Sequence, residues 1–469
     1  MNKRHPLGKV GLTVLACAST TLGAAADAPT NTVPILAPAA GSSTNTVPTL
    51  TPATSAPSEN WNWHFQNTDI VQGYPGFPAQ YSGPNSLPAG GETRETVSLD
   101  LMAGVRLWAG AEAHIDGLMW QGFGVGDALG VVGFPNGEAF RLGTAAPNVN
   151  IPRLFVRQYI ELGGETETIP DDALNLARQV DISRITLTAG RYSAKDIFDN
   201  NAYANDPRTQ FMNWALMANE SWDYPGDALG FITGFSAELN QPGWTARYGL
   251  FQMPESANGT AIDSHVLEAW GMVTEFEKRF TLKDHPGTIR FLAYLNHAHM
   301  GNYEQATEHA DLSGEPADIQ ATRAYRYKYG FGLNWEQEVI KNVGVFSRLG
   351  WSDGQSEAWV FSDADYSESL GVSIKGESWH RPDDTFGLAG VFNGITKNHQ
   401  EFFEAGGTGI LAGDGNLTYG WEQILETYYD FGIWKTLHAS VDYQYVTNPA
   451  FNEDRGPVSI FGARIHWEF

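Results

Sequence analysis

The stretch RLFVRQYIE at 153–161 alternates apolar residues with side chains that can hydrogen-bond or stack. Successive side chains of a β-strand point to opposite faces, so one face of this segment would be apolar apart from Gln158. The other face would carry cations, aromatic rings and a carboxylate: Arg153, Phe155, Arg157, Tyr159 and Glu161. Arg157 and Glu161 on one polar wall would offer charged hydrogen-bond donors and acceptors to a polar ligand. The alternative is an ion pair that only stiffens the wall.

A second group of such residues lies between 193 and 227, just after Arg191, which we assign to the same candidate site. Carboxylates, amides, cations and two tryptophans are concentrated there: Lys195, Asp196, Asp199, Asn200, Asn201, Asp206, Arg208, Asn213, Trp214 and Trp222. Tryptophans exposed on an ordinary surface loop would place apolar surface in contact with water, which favours a loop that faces a ligand. An ordinary surface loop is the alternative.

These residues need a scaffold, and alternation with a period of two recurs from Trp61 to Phe469. In YRYKYGFGLNW, the odd-numbered residues from Tyr325 to Trp335 are aromatic or apolar, and the even-numbered ones are charged, polar or glycine. This alternation is typical of strands with one apolar and one polar face. Sixteen segments of this kind predict sixteen strands, at 61–72, 95–107, 109–121, 152–162, 181–192, 228–239, 244–253, 265–279, 287–299, 322–337, 342–352, 366–378, 385–395, 421–431, 435–447 and 457–469.

The predicted connections alternate in length. Those after odd-numbered strands are mostly long: 73–94, 122–151, 193–227, 300–321 and 396–420. Those after even-numbered strands are mostly short, as in WAG, NQPG, VIKN and GIW; an exception is 163–180, where DDALNLARQV is predicted to form a short helix. Long extracellular loops and short periplasmic turns are typical of outer-membrane β-barrels. The sequence therefore predicts an all-β, transmembrane, antiparallel up-and-down barrel, whose last strand, ending at Phe469, pairs with the first.

The chain begins with two segments that we expect to lie outside the barrel. Residues 1–26 have a positively charged start, a short apolar stretch and small residues near the end, which predicts a secretory signal peptide. Residues 27–60 repeat TNTVPILAP as TNTVPTLTP and predict a disordered periplasmic linker, which leaves 61–469 for the barrel. The net charge of −25 argues against a nucleic-acid partner and fits solvated acidic loops.

Several segments, taken in order, resemble one family. They include WHFQNTDIVQGYPGF at 63–77, QGFGVGDALGVVGFPNGEAF at 121–140, GRYSAKDIFDNNAYANDPRTQFMNWAL at 190–216 and YQYVTNPAFNEDRGPVSIFGARIHWEF at 443–469. The chain is similar in these segments, from 61 to 469, to the carbohydrate-selective porins of Gram-negative outer membranes (OprB type). The resemblance implies a sixteen-stranded pore for passive uptake of small neutral sugars, without a cofactor or metal, in which the loop at 193–227 folds inward.

Strand parity and the residue types of the two segments at 153–161 and 193–227, together with this resemblance, suggest which residues contact sugar and which partners the chain has. The expected constriction consists of Arg153, Arg157, Tyr159, Glu161, Arg191, Asp196, Asp199, Asp206, Arg208, Asn213, Trp214 and Trp222. The expected partners are outer-membrane lipid, lipopolysaccharide and the assembly machinery that reads a C-terminal aromatic residue. The barrel would be a monomer or homotrimer. Two alternatives are a general porin for other small polar solutes and a barrel enzyme, although no Ser–His pair, phosphate loop or metal-ligand spacing supports catalysis.

Overall fold

The computed structural model describes residues 58–139, 143–361 and 363–469; the expected signal peptide and residues 27–57 of the expected linker lie outside these ranges. Sixteen antiparallel strands close into one barrel, and a separate two-stranded sheet lies in one connection. The barrel strands are β1 (Trp61–Pro75), β2 (Gly91–Trp108), β3 (Ala111–Gly122), β4 (Thr144–Glu161), β7 (Arg184–Tyr192), β8 (Ile232–Gln241), β9 (Trp244–Gln252), β10 (Trp270–Leu282), β11 (His285–Met300), β12 (Ala324–Ile340), β13 (Val343–Ser352), β14 (Tyr366–Lys375), β15 (Thr385–Gly394), β16 (Glu422–Trp434), β17 (Leu437–Thr447) and β18 (Val458–Glu468). The separate hairpin consists of β5 (Thr166–Ile169) and β6 (Arg178–Asp181).

The sixteen predicted barrel strands are confirmed, with two corrections nearby. β4 begins at Thr144 rather than at 152, and it contains Pro152 in a bulge where its pairing with β3 slips between Asp116 and Leu118. Proline is tolerated at such bulges, although it lowers strand propensity and so hides the strand from a sequence pattern. The helix predicted in DDALNLARQV is wrong, because these residues form the turn and second strand of the β5–β6 hairpin.

The barrel wall is polar inside and apolar outside. In β2, the side chain of Asp100 is buried while that of Leu101 is 54% exposed, and in β18 Arg464 is buried between the exposed Phe461 and Ile465. A soluble sheet would bury its apolar face, whereas a barrel in lipid exposes it. The strands therefore present a continuous apolar surface to the membrane and a polar one to the lumen.

The C-terminal residue completes the closure of the barrel. Gln66 of β1 pairs with Glu468 of β18, and the backbone groups of Phe65 and Phe469 exchange hydrogen bonds of 2.9 and 3.0 Å. The ring of Phe469 packs edge-on against Trp63 at 5.1 Å on the outer face. No strand edge is left at this seam, as the sequence predicts.

The connections at one rim are long and those at the other are mostly short. Two-residue turns lie at 109–110, 242–243, 283–284, 341–342 and 435–436. The long rim carries 76–90, 123–143, 193–231, 253–269, 301–323, 353–365, 395–421 and 448–457. Its α-helices are α1 (Trp214–Met217), α2 (Tyr303–Ser313) and α3 (Lys397–Glu404). Among the described residues, no helix has the length and apolar character needed to cross a membrane.

Candidate solute site in the barrel lumen

The loop that joins β7 to β8, residues 193–231, lies inside the barrel. Glu426 of β16 accepts hydrogen bonds from the backbone N–H groups of Met212 and Asn213, at 2.6 and 3.0 Å. Glu336 of β12 accepts one from Ala202 at 2.6 Å. Neither strand is a neighbour of β7 or β8, so the loop crosses the lumen, as the resemblance implied.

A buried ionic cluster fixes the start of this loop. Arg348 of β13 and Asn334 of β12 donate to Asp199 Oδ1 at 3.1 and 2.8 Å, and Lys195 Nζ lies 3.4 Å from Asp199 Oδ2. Burial by itself would raise the pKa of Asp199, but Arg348 and Lys195 hold it below its usual value. Burial lowers the pKa of Lys195 to about 8, against the opposing effect of Asp199.

A cavity of about 170 Å³ lies between this loop, residues 134–139 and the strand wall. One part of its lining is ionic: Glu138, Arg153, Lys195, Asp196, Asp206 and Arg208. Another part is aromatic: Phe134, Trp214, Tyr224, Phe231 and Phe361. Three residues of the connection between β4 and β7 also border the cavity: Asp172, Ala173 and Leu174.

Arg153 of β4 is held in place by two carboxylates. Its Nε and Nη2 donate to Asp196 at 2.9 and 2.8 Å, and its Nη1 donates to Asp116 at 2.8 Å. Its guanidinium also lies over the ring of Phe231, 4.8 Å from the ring centre. A guanidinium has five N–H donors, so Arg153 has two more than these carboxylates use.

Arg208 has a similar arrangement in the loop. Its Nε donates to Glu138 at 2.9 Å, and its Nη2 lies 3.2 Å from Asp100 on β2. Arg208 therefore joins the inward loop to both the neighbouring loop and the barrel wall. Two arginines of fixed orientation, each beside carboxylates, give the cavity charged donors and acceptors.

The aromatic part of the cavity is centred on Trp214, the first residue of α1. Its ring stacks on Phe134 with centroids 5.0 Å apart, and it lies 6.0 Å from Tyr224 and 5.2 Å from Phe361. Asn213 caps this short helix through its side-chain oxygen. The cluster offers apolar ring area beside the ionic groups.

Five of the twelve predicted site residues border the cavity: Arg153, Asp196, Asp206, Arg208 and Trp214. Of the other seven, Trp222 is buried between Phe198 and Tyr224, with centroids at 6.5 and 5.4 Å. Trp222 therefore lies outside the cavity that Trp214 borders, and its contact with a sugar remains a prediction. Asp199 and Asn213 are buried as well, and their polar atoms hold the loop rather than line the cavity.

Arg157 and Glu161 do not form the ion pair that was the alternative to sugar contact, and their contact with a sugar remains a prediction. Arg157 Nη1 lies 3.7 Å from Glu112, and it donates to the backbone oxygen of Leu174 at 2.9 Å. Glu161 is exposed at the last position of β4. Two further predicted residues also have protein partners: Tyr159 donates to Glu112 at 3.2 Å and Arg191 to Asp227.

Sequence reasoning missed several residues around the cavity. Asp100 and Asp116 could have been found, because each lies between outward apolar residues on a predicted strand. Phe134 and Glu138 belong to the segment at 121–140 that carries the family resemblance. Phe361 gives no sequence signal, since a long loop brings it to the cavity. Within the described residues, no group of three or more His, Cys, Asp or Glu could hold a metal ion.

A family model and one solved structure agree with this architecture. The model of the carbohydrate-selective porins, OprB family, matches residues 85–469. The search of curated proteins found no match. The high-pH structure of Pseudomonas putida OprB superposes with a TM-score of 0.66 and 16% identity, over 87% of this chain and 94% of that chain. The low-pH structure of Pseudomonas putida OprB superposes with a TM-score of 0.47 and 12% identity, over 87% of this chain and 93% of that chain. The structure of the outer membrane channel DcaP of Acinetobacter baumannii superposes with a TM-score of 0.47 and 8% identity, over 88% of this chain and 100% of that chain.

Proposed function

The chain belongs to the carbohydrate-selective porin family, OprB type, and we propose that the lumenal cavity around Arg153, Arg208 and Trp214 is its sugar-selective constriction. The protein is a sugar-preferring channel of the outer membrane and not an enzyme. Its substrates are small carbohydrates. The proposal concerns which side chains perform the selection and how they do so.

A sugar has hydroxyl groups around its rim and apolar C–H faces. The N–H groups of Arg153 and Arg208 donate to hydroxyl oxygens, and the carboxylates beside them accept from hydroxyl hydrogens. The ring of Trp214 packs against a C–H face. A hydrogen bond to a charged group contributes about 1.5–3 kcal/mol. Several contacts that each form and break separately allow the sugar to be bound and then released, as transport requires.

The observation that carries this proposal is the position of both groups on one cavity. Arg153 and Arg208 are fixed by carboxylates, and Trp214 is fixed by stacking on Phe134, so the constriction needs little rearrangement to accept a sugar. A general porin needs no aromatic cluster beside its charged groups. The inward loop, fastened to strands across the lumen, keeps the two groups at a constant separation.

We also propose the orientation and partners of the barrel. The long connections face outward, where they meet lipopolysaccharide, and the two-residue turns face the periplasm. The terminal strand with Phe469 is the segment read by the outer-membrane assembly machinery. The barrel works as a monomer or a homotrimer, since each barrel contains a complete cavity. Export depends on the signal peptide expected at residues 1–26.

Solute flux through the purified protein in liposomes tests the function. Monosaccharides and disaccharides should enter faster than amino acids of similar size. A variant Arg208→Lys, which keeps the charge but has a compact ammonium group, should reduce this preference while passing ions as before. Equal rates for sugars and amino acids in the wild-type channel would contradict the proposed selection and favour a general porin.

A further inference from the structure

The connection between β4 and β7 differs from the other connections at the short rim. Residues 171–178, which we call the floor segment, do not stay beside these two strands but reach β1. Asn62 Nδ2 lies 2.7 Å from Asp171 Oδ1 and 3.1 and 2.8 Å from the backbone oxygens of Asp172 and Asn175, so these three acceptors share its two N–H groups. His64, also on β1, lies 3.1 Å from Asp171. One side chain, Asn62, thus holds the floor segment at three points.

The floor segment is also bound to β3 and β4. Arg157 of β4 donates to the backbone oxygen of Leu174 at 2.9 Å and to Asn175 Oδ1 at 2.5 Å. Arg178 pairs with Glu112 of β3 at 3.4 Å, and its guanidinium lies 4.5 Å from the ring centre of Tyr159. These strand residues alternate with outward apolar ones, so their side chains point into the lumen.

The floor segment therefore lies over the lumenal side of β1 to β4 at the short rim. β2 and β3 separate β1 from β4 in the wall, and the segment contacts inward side chains of β1, β3 and β4. Joining the neighbours β4 and β7 does not require this path, since five other turns at the same rim need only two residues. Asp172, Ala173 and Leu174 border the same cavity as Arg153 and Arg208.

We propose that the floor segment is a second selective element of the channel, which limits the size of the sugar that leaves the cavity toward the short rim. This inference rests on the proposed route of sugars through the cavity. Leu174 is the residue that the passing solute touches, and its apolar side chain makes no hydrogen bond that would slow release. Arg157 and Asn62 are positioning residues, which act by holding the floor segment under the cavity.

The test uses modification after the channel has folded. The only cysteine of the chain, Cys17, lies in the expected signal peptide, so Leu174→Cys introduces a single thiol into the barrel. A bulky thiol reagent added to channels in planar bilayers should lower the conductance at least about twofold, because pore-lining side chains set the conducting width. Thr168→Cys is the matched control, since Thr168 is exposed on the same connection and does not border the cavity. A Leu174→Cys channel that keeps its conductance in the presence of the reagent overturns the proposal, whether the thiol reacts or not.

The positioning role has a separate measurement. Asn62→Ala should raise the ratio of disaccharide to monosaccharide flux, with no change in ion preference because the residue is neutral, and Asn62→Gln should restore part of the discrimination. An unchanged ratio of disaccharide to monosaccharide flux in Asn62→Ala would remove Asn62 from this role.

The conductance test does not depend on sugar recognition. Loss of conductance in modified Leu174→Cys, together with equal wild-type flux of sugars and amino acids, would therefore support the floor segment while refuting sugar selection by the cavity.

Discussion

Replacing Arg153 by lysine separates sugar recognition from simple electrostatics. Arg153 uses three N–H groups on Asp196 and Asp116 and has two further donors. A lysine has three donors in total, so one that reproduces all three of these contacts has none left for a sugar. Loss of one charge-assisted hydrogen bond costs about 1.5–3 kcal/mol, which corresponds to an affinity lower by roughly ten- to a hundredfold.

The assay is sugar block of the ion current through single channels in planar bilayers. For Arg153→Lys, the half-blocking concentrations of glucose and of a disaccharide should rise by this factor, while the reversal potential in a salt gradient stays constant because the charge is kept. Arg153→Gln should also weaken block, and it should shift ion preference toward cations. Arg381→Lys is the matched control, since Arg381 forms a similar two-pronged contact with Asp384 in a turn outside the cavity.

An unchanged half-blocking concentration in Arg153→Lys would refute the role given to this guanidinium. A parallel loss of block and of conductance would have a different meaning, namely that the inward loop had moved. Asp116 is fully buried and Asp196 belongs to the loop, so a loss of both contacts would disturb the loop as a whole. Measuring conductance with every sugar titration distinguishes these two results.

Trp214→Ala should weaken sugar block about tenfold with no change in reversal potential, because ring stacking carries no net charge. The control is Trp421→Ala, which should bind sugar as the wild type does, since the ring of Trp421 is 40% exposed and lies outside the cavity. Lys195 should lose most of its charge between pH 7 and 9, since burial lowers its pKa to about 8. Cation preference should therefore rise over this range in the wild type and stay flat in Lys195→Met, and a wild-type reversal potential that is independent of pH would contradict the assignment. Phe469→Asp should leave secretion intact but lower the yield of folded barrel in the outer membrane, although a charge at the interface costs only about 0–1 kcal/mol; a normal yield would show that the terminal aromatic residue is dispensable. Leu312 is 87% exposed in α2, so the thiol of Leu312→Cys should react with a membrane-impermeant reagent on intact cells, whereas that of Pro242→Cys should not. The reverse labelling pattern would show that the proposed orientation is inverted.

The barrel was predictable because the membrane imposes its pattern on every strand. Phe461 and Ile465 must face lipid while Arg464 and His466 face the lumen, so the sequence alternates and the faces can be assigned by parity. The same parity placed Arg153 correctly on the lumenal face. It did not identify the start of β4, where proline and a bulge interrupt the pattern.

The loops were less predictable, because nothing periodic shows which side of a loop faces the cavity. Trp214 and Trp222 belong to the same segment and are both buried, yet only Trp214 borders the cavity, whereas Trp222 packs against Phe198. Packing decides between them, and packing depends on residues far away in the chain. The contacts of Arg157 could not be predicted for the same reason, since its partners Leu174 and Asn175 lie on the floor segment, for which the sequence suggested a helix.

The acidity of the chain has a structural explanation that composition does not reveal. A loop folded into the lumen carries backbone N–H groups that neither a sheet nor bulk water satisfies, and each needs an acceptor. Inward carboxylates provide these acceptors: Glu422 bonds the N–H groups of Val132 and Gly133, and Asp223 bonds those of Trp359 and Val360. These carboxylates are thus not solvated loop charges, as the sequence suggested for the acidic residues, but fixed supports for the loops inside the barrel. A carboxylate in the lumen is consequently weak evidence for sugar binding, and what distinguishes the acidic groups of the proposed sugar site is their pairing with Arg153 or Arg208 on the cavity wall.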